Sequence, residues 1–514
     1  MNEHKYAIID MGSNSIRLVI NSIDNHGYYK ELYNFKVVAR LSSLVTKEGL
    51  ITNHGKETIL ETLKKFEEII NDHHVDEVKG VATAAVRKAV NQQEILQAIS
   101  NETSLKFDVL SEYEEAYYGY LAVVNSTNLE TGVTIDIGGG STEVTLFDNR
   151  ELIHYHSFPF GAITLKQQFI QHDQPTNEEL QELISFLNSQ FSSLPWLHGC
   201  NLPVIGIGGS ARNLSLVHQL KVNYPLSGLH QYVIKLEDIQ SILEQFVSLS
   251  FEERQNIDGL SNERADIIIP AVQAIASLMT MTASTQFIMS NKGLRDGIFH
   301  EKVFQKLGLK QFPNVAEESF YQLTQSYNIN MYHVKQIAKI AGIILKQTHS
   351  LSESTYTLEE DLRLLRYSTR VLYLGEFISS EASSQHTFYL LTNMTIDGLS
   401  HEDRLAIAFI ASFKSRSYLN KYSQAFSELV TSEQLKRYER LGAILKLAYS
   451  LNRTRRNVIT DITVTKLPKR ALAFYIQCRK DAHFEGQQSQ KYKKHLEKAI
   501  GFQVELQFEQ NSSN

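Results

Sequence analysis

The sequence predicts a duplicated α/β core, followed by a helical region and a small α+β module. Three observations predict this. Strand and helix patterns alternate over the first 125 residues. The segment AIIDMGSNSIRLVI (7–20) returns in similar form as VTIDIGGGSTEVTLF (133–147). From about residue 301 long helical patterns replace the strands. The expected division is 1–125 and 126–300 for the two α/β subdomains, 301–456 for the helical domain and 457–514 for the terminal module.

Taken in order, apolar runs at 5–10, 16–23 and 34–40 predict strands. An amphipathic helix is expected over 56–72, with Ile59, Leu63, Phe66 and Ile70 on one stripe. Then come a strand at 76–83, a helix near 92–100, a strand at 105–110 and a helix over 112–124. A second unit restarts at 131 with a strand pair, continues into TNEELQELISFLNSQF, whose Thr176 can cap a helix, and reaches the strand PVIGIGG. The apolar window Ala265–Ser284 carries Asp266, Pro270, Gln273 and several hydroxyls, so it reads as a buried helix rather than a membrane span. MYHVKQIAKIAGIILKQTH, EDRLAIAFIASF and EQLKRYERLGAILKLAYSL are the helical patterns of the third region. After RTRRNV the order reads strand, strand, helix, strand.

Composition narrows the class. With 514 residues and 42% hydrophobic content the chain can bury several cores. Its net charge of −6 hides an asymmetry: residues 401–514 carry 20 Lys and Arg against 11 Asp and Glu, a net +9, which leaves −15 for residues 1–400. The positives cluster in RTRR, KLPKR and KYKK, which suit a polyanion or a solvated surface. Two distant cysteines, Cys200 and Cys478, fit a reducing cytosol better than a disulfide scaffold. MNEHKYAIID has no export-signal pattern, so a cytoplasmic protein without a membrane span is expected.

The two loops align without gaps at an offset of 126 residues, which sets Asp10, Gly12, Ser13, Asn14 and Ser15 on Asp136, Gly138, Gly139, Gly140 and Ser141. A glycine-rich turn between strands can point consecutive N–H groups into one concavity, a nest for phosphate oxygens. Both loops run into β-patterned residues, not helices, which excludes the Walker and Rossmann motifs. The Asp closing each first strand faces the same concavity and suits Mg²⁺, which prefers oxygen ligands; Glu143 on the next strand can join it. A third loop, VIGIGGSARNLSLV, passes from strand to helix, where Gly208, Gly209 and Ser210 can bind an anion.

The paired loops resemble the phosphate loops of the actin-like ATPase superfamily. More narrowly, DMGSNSIRLVI, GVATAAVRKA, VLSEYEEAYYGYL, TIDIGGGSTEVTLF, GIGGSARNL and NKGLRDGIF resemble, in order, the exopolyphosphatase/guanosine pentaphosphate phosphohydrolase family over about residues 5–300. The resemblance implies a duplicated ribonuclease H-like core, an all-α HD-like domain and a homodimer. It also implies Mg²⁺-dependent release of orthophosphate from inorganic polyphosphate, with guanosine pentaphosphate as the alternative substrate. A non-hydrolytic sensor of polyphosphate or an alarmone is the reading from another class. Neither membrane nor nucleic acid is required.

By the same resemblance Glu114, the first Glu of EEA, is the general base, and Glu115, turned about 100° away, is the poorer candidate. Arg87 contacts phosphate, with Arg17 and Arg295 as helpers. Gly12, Ser13 and Asn14 clamp the phosphate from one side and Gly138, Gly139, Gly140, Ser141 and Thr142 from the other. Asp136 and Glu143 hold the metal, with Asp10 behind them. The helical region departs from the HD pattern: where a His-Asp pair is expected it reads Leu372, Tyr373, Leu374, Gly375, and Lys414 follows Phe413 where a His is expected. His333 and His386 are therefore expected as packing residues, and no metal is expected there.

Overall fold

The computed structural model describes residues 3–351 and 355–510. Two compact units emerge, one of Met1–Tyr224 with Leu229–Val315 and one of Pro225–Gly228 with Ala316–Asn514.

The first half of unit 1 contains β1 (His4–Met11), β2 (Ser15–Ile23), β3 (Tyr29–Val38), α1 (Asn53–Asp72), β4 (Glu77–Ala82), α2 (Ala84–Arg87), α3 (Gln92–Glu102), β5 (Phe107–Val109) and α4 (Glu112–Val124). The second half contains β6 (Gly132–Ile137), β7 (Thr142–Asp148), β8 (Glu151–Phe158), α5 (Ala162–Phe169), α6 (Asn177–Ser192), β9 (Val204–Ile207) and α7 (Gly208–Lys221). It continues through β10 (Val233–Lys235), α8 (Leu236–Ser248), α9 (Phe251–Gln255), α10 (Ile268–Thr282), β11 (Gln286–Met289) and α11 (Leu294–Leu307).

The two sheets repeat one plan. The first runs β3-β2-β1-β4-β5 and the second β8-β7-β6-β9-β11, with β10 added at its edge. In each, two antiparallel pairings are followed by two parallel ones. Even the register repeats, because Asp10 pairs with Arg17 and Asp136 with Glu143 at the same offset. Helices cover the sheets through stripes such as Ile59, Leu63, Phe66 and Ile70 on α1, all buried as expected. Each fully buried side chain of this kind contributes about 1.5–3 kcal/mol. The Ala265–Ser284 window becomes α10, which is buried on nearly every side. Thr176 caps α6 in a capping box.

Unit 1 does not stop near residue 300. Helix α11 packs back on α4, and Gly297 permits it: a β-carbon there would lie 2.0 Å from the carbonyl oxygen of Tyr118.

Unit 2 holds α12 (Val315–Ser326), α13 (Met331–Thr348), α14 (Leu358–Arg370), α15 (Ser383–Asn393), α16 (His401–Ala411), α17 (Arg416–Ser423) and α18 (Ser432–Leu451), of which α12 begins on the last residue of unit 1. Its sheet of β12 (Ile459–Leu467), β13 (Ala471–Cys478) and β14 (Gln503–Gln510), with α19 (His483–Ile500), follows the order the sequence predicts. The free edge of β12 is satisfied by α13. Gln336 Nε2 donates to the Ile459 carbonyl at 2.6 Å, Gln347 Nε2 donates to Ile462, and Gln347 Oε1 accepts from Val464 N, both at 2.7 Å. An edge strand capped this way offers fewer groups to another chain.

A buried charge cluster ties α14 to α18. Asp361, fully buried, accepts from Arg437 Nε at 2.7 Å and from Arg440, whose side chain is buried as well. Removing one partner of such a group strands an uncompensated charge. Asp361→Ala is therefore expected to lower the unfolding free energy of the full chain by about 3–5 kcal/mol in denaturant titration. An unchanged midpoint contradicts the assignment.

Candidate active site

The site is built on the two hairpins. In each, a glycine N–H closes the turn on the carbonyl three residues ahead: Gly12 to Ser15 and Gly138 to Ser141, both at 3.0 Å. The turns face one another closely, since a β-carbon on Gly139 would lie 3.3 Å from Ser13 Cβ. Between and beside them lies one cleft of about 500 Å³. Its walls include Gly12, Ser13 and Asn14 from the first hairpin and Gly138, Gly139 and Ser141 from the second. Asp10, Asp136 and Glu143 line it as well.

The third loop joins this cleft through Gly208 and Gly209. Gly208 holds a φ of 84°, and a β-carbon there would lie 2.6 Å from Asp136 Oδ1. At Gly209 a β-carbon would collide with the Arg264 guanidinium at 2.2 Å. Both positions require glycine, the first for conformation and the second for space.

Four residues expected at the phosphate, Thr142, Ser210, Gly140 and Arg87, are not on the cleft wall. The Thr142 hydroxyl donates to the Phe160 carbonyl at 2.8 Å, and the Ser210 hydroxyl accepts from Arg264 Nη1 at 3.0 Å. The Gly140 carbonyl accepts from Lys88 Nζ at 2.9 Å, and Gly140 is not on the cleft wall. Arg87 lies behind the wall, where Nη1 donates to the Leu110 carbonyl at 2.9 Å and to Glu115 Oε2 at 2.7 Å.

The expected placement of Glu114 is corrected. Its carboxylate turns back to the start of α4, accepting from Ser111 N at 2.8 Å and from Ser111 Oγ at 2.7 Å, while Glu114 N donates to Ser111 Oγ at 3.2 Å. This is a capping box, and those bonds hold its carboxyl below the usual range. Glu115, one residue on, is the glutamate of this pair that lines the cleft. The Ser-x-x-Glu spacing in SEYE carried the capping signal.

The cleft gathers charge of both signs. Glu115 is pushed up to about 7 by burial, which outweighs the Arg87 guanidinium; Asp136 and Asp10 add repulsion. Burial lifts Asp136 to about 6, against the pull of Arg264. Glu143 is raised well above its usual range by burial, then by Glu115 and Asp136; its Oε1 accepts from Ser157 Oγ at 2.9 Å.

Four guanidiniums, those of Arg17, Arg212, Arg264 and Arg295, line the same cleft. Arg17 and Arg212 are both lowered by burial first and then by the charge of Arg295. Arg295 Nη1 donates to Asp10 Oδ2 at 2.6 Å. Arg212 and Arg264 escape the sequence reading. Arg212 sits one helical turn past Gly208, a readable spacing, whereas Arg264 comes from a loop with no local signal. Among the described residues no three His, Cys, Asp or Glu side chains gather as a ready metal cage.

Comparison with known proteins agrees with this geometry. The Aquifex aeolicus member of the Ppx/GppA family is 28% identical, with a TM-score of 0.53 over 59% of this chain and 99% of its own. An exopolyphosphatase from Cytophaga hutchinsonii is 25% identical, with a TM-score of 0.54 over 60% of this chain and 99% of its own. A bifunctional 3-dehydroquinate synthase/phosphatase of Fusobacterium nucleatum is 25% identical over 59% of this chain. The chain spans about half that relative's length, 47%. The Ppx/GppA phosphatase family matches residues 19–306, and domain III of that family matches 315–497. With the repeated strand order and the facing hairpins, these matches show that the chain belongs to the Ppx/GppA phosphatase family and that its core has the actin-like fold.

Proposed function

We propose that the chain is an exopolyphosphatase, which releases orthophosphate from the end of inorganic polyphosphate by attack of water. The observation that carries this reading is the charge gathered in one cleft: the guanidiniums of Arg17, Arg212 and Arg295, which repel one another, stand beside glycine turns and buried carboxylates. An anionic chain end relieves that repulsion. Polyphosphate is favoured over guanosine pentaphosphate because none of the residues lining the cleft is aromatic, so a guanine base has no ring to stack on.

In this reading Glu115, not Glu114, takes the proton from water. A base that titrates near neutrality combines availability with driving force, and burial raises Glu115 to about 7. Arg87 positions it at 2.7 Å. The water oxygen bonds to the terminal phosphorus, the bridging P–O bond breaks, and the shortened chain leaves with the electron pair. Arg17, Arg212 and Arg295 stabilise the charge on the phosphoryl oxygens as it shifts. The donor set suits Mg²⁺ held by one or two carboxylates and completed by phosphate and water: Asp136 and Glu143 are neighbours across β6 and β7, with Asp10 nearby. Bound there, Mg²⁺ supplies charge neutralisation for the phosphate oxygens. We read the helices of unit 2 as HD-related without the ligand pair.

Two outcomes test this reading by phosphate release from long-chain polyphosphate. Glu115→Gln is expected to lose about 10²–10⁴-fold in kcat, while Glu114→Gln, which can still close the capping box, keeps turnover within a few fold. The reverse order contradicts the assignment. Arg212→Gln is expected to raise KM for polyphosphate and flatten its dependence on salt, as loss of an anion contact requires. An unchanged KM removes Arg212 from the site.

A further inference from the structure

A cavity of about 560 Å³ lies wholly within unit 2, and the activity proposed above does not use it. It adjoins the turn after α14, where Tyr373 occupies the missing ligand pair's place. Tyr373 holds a φ of 53°, the left-handed region that a bulky side chain seldom adopts. Its ring meets that of Tyr449 edge-on, with centroids 5.1 Å apart. Tyr418 and Tyr492 also face the space.

Three cations converge on these rings. Lys446 is 7% exposed; its ammonium donates to the Lys414 carbonyl, lies 3.4 Å from His495 Nε2 and sits 4.8 Å from the centroid of Tyr492. Lys414 Nζ lies 4.5 Å from the centroid of Tyr418, and the Arg453 guanidinium lies 5.2 Å from that of Tyr449. Among the described residues none of the three forms an ion pair, although Glu376 and Glu381 share the wall. Burial, with the charges of Lys414 and Lys494, brings Lys446 down to about 8. A buried ammonium without a carboxylate is costly, and an anionic ligand would offset that cost.

We propose that this cavity binds a nucleotide, with its base against the tyrosine rings and its phosphates on Lys414, Lys446 and Arg453. Its rings distinguish its chemistry from that of the unit 1 cleft, whose lining has cations but no aromatic side chain. Aromatic faces bind a base by stacking, and a bare phosphate chain gains little from them.

Photolabelling of the full chain with 8-azido-ATP, followed by peptide mapping, tests this. Label is expected on peptides carrying Tyr418, Tyr449 or Tyr492, with unlabelled ATP protecting them at about tenfold lower concentration than tripolyphosphate, given the stacking contribution. Lys414 and Arg453 are exposed enough to change without unfolding the chain. The double variant Lys414→Gln/Arg453→Gln is expected to lose labelling at least about tenfold, as loss of two charge-assisted bonds requires, with an unchanged thermal midpoint. Equal protection by tripolyphosphate, label confined to unit 1, or full labelling of the double variant overturns the proposal.

Discussion

The close approach of the Ser13 turn to the Gly139 turn is the constraint on which the rest of unit 1 depends. Two sheets of identical strand order bring equivalent hairpins to one cleft, and only turns without bulky side chains can come so near. The third glycine pair makes the same demand. Gly208 and Gly209 keep backbone beside Asp136 and Arg264 where any β-carbon would intrude. Backbone economy at these turns leaves the cleft floor open, and charged side chains from neighbouring elements then fill its rim.

Those charges are held against burial and repulsion. Burial raises the proton affinity of Asp136, Glu115 and Glu143, with Asp10 adding to the first two and Asp136 to the last two, while burial and the neighbouring charge of Arg295 lower that of Arg17 and Arg212. Such an arrangement costs stability unless a ligand relieves it, which is how functional sites are commonly marked. Positioning is part of the same design: Arg87 spends one nitrogen on Glu115 and the Leu110 carbonyl, so it orients the carboxylate from behind. In unit 2, Asp361 shows the opposite outcome, a buried charge fully matched by Arg437 and Arg440 and serving to join helices.

Much of this was legible in the sequence. Helix α4 and the terminal strand, strand, helix, strand order follow from periodicity, and the duplication follows from the loop alignment. Less legible was β8, whose ELIHYHSF mixes polar and apolar residues because it lies beside only one partner strand. The extent of unit 1 depended on the contact made at Gly297, which no local pattern announces. At the site, periodicity separated Glu114 from Glu115 by about 100° but could not say which faced inward. That choice was set by Ser111, which captures the first glutamate as a cap. Arg264 was beyond reach, since Gly209 and Asp136, which it meets in the fold, lie far from it in sequence.

The most direct measurement is a crystal structure of the Glu115→Gln variant with tripolyphosphate and Mg²⁺. The account predicts the terminal phosphate between the Gly12–Asn14 and Gly138–Ser141 turns, with an ordered water beside residue 115. A phosphate chain bound outside that cleft, or a water held by Glu114 instead, would contradict it.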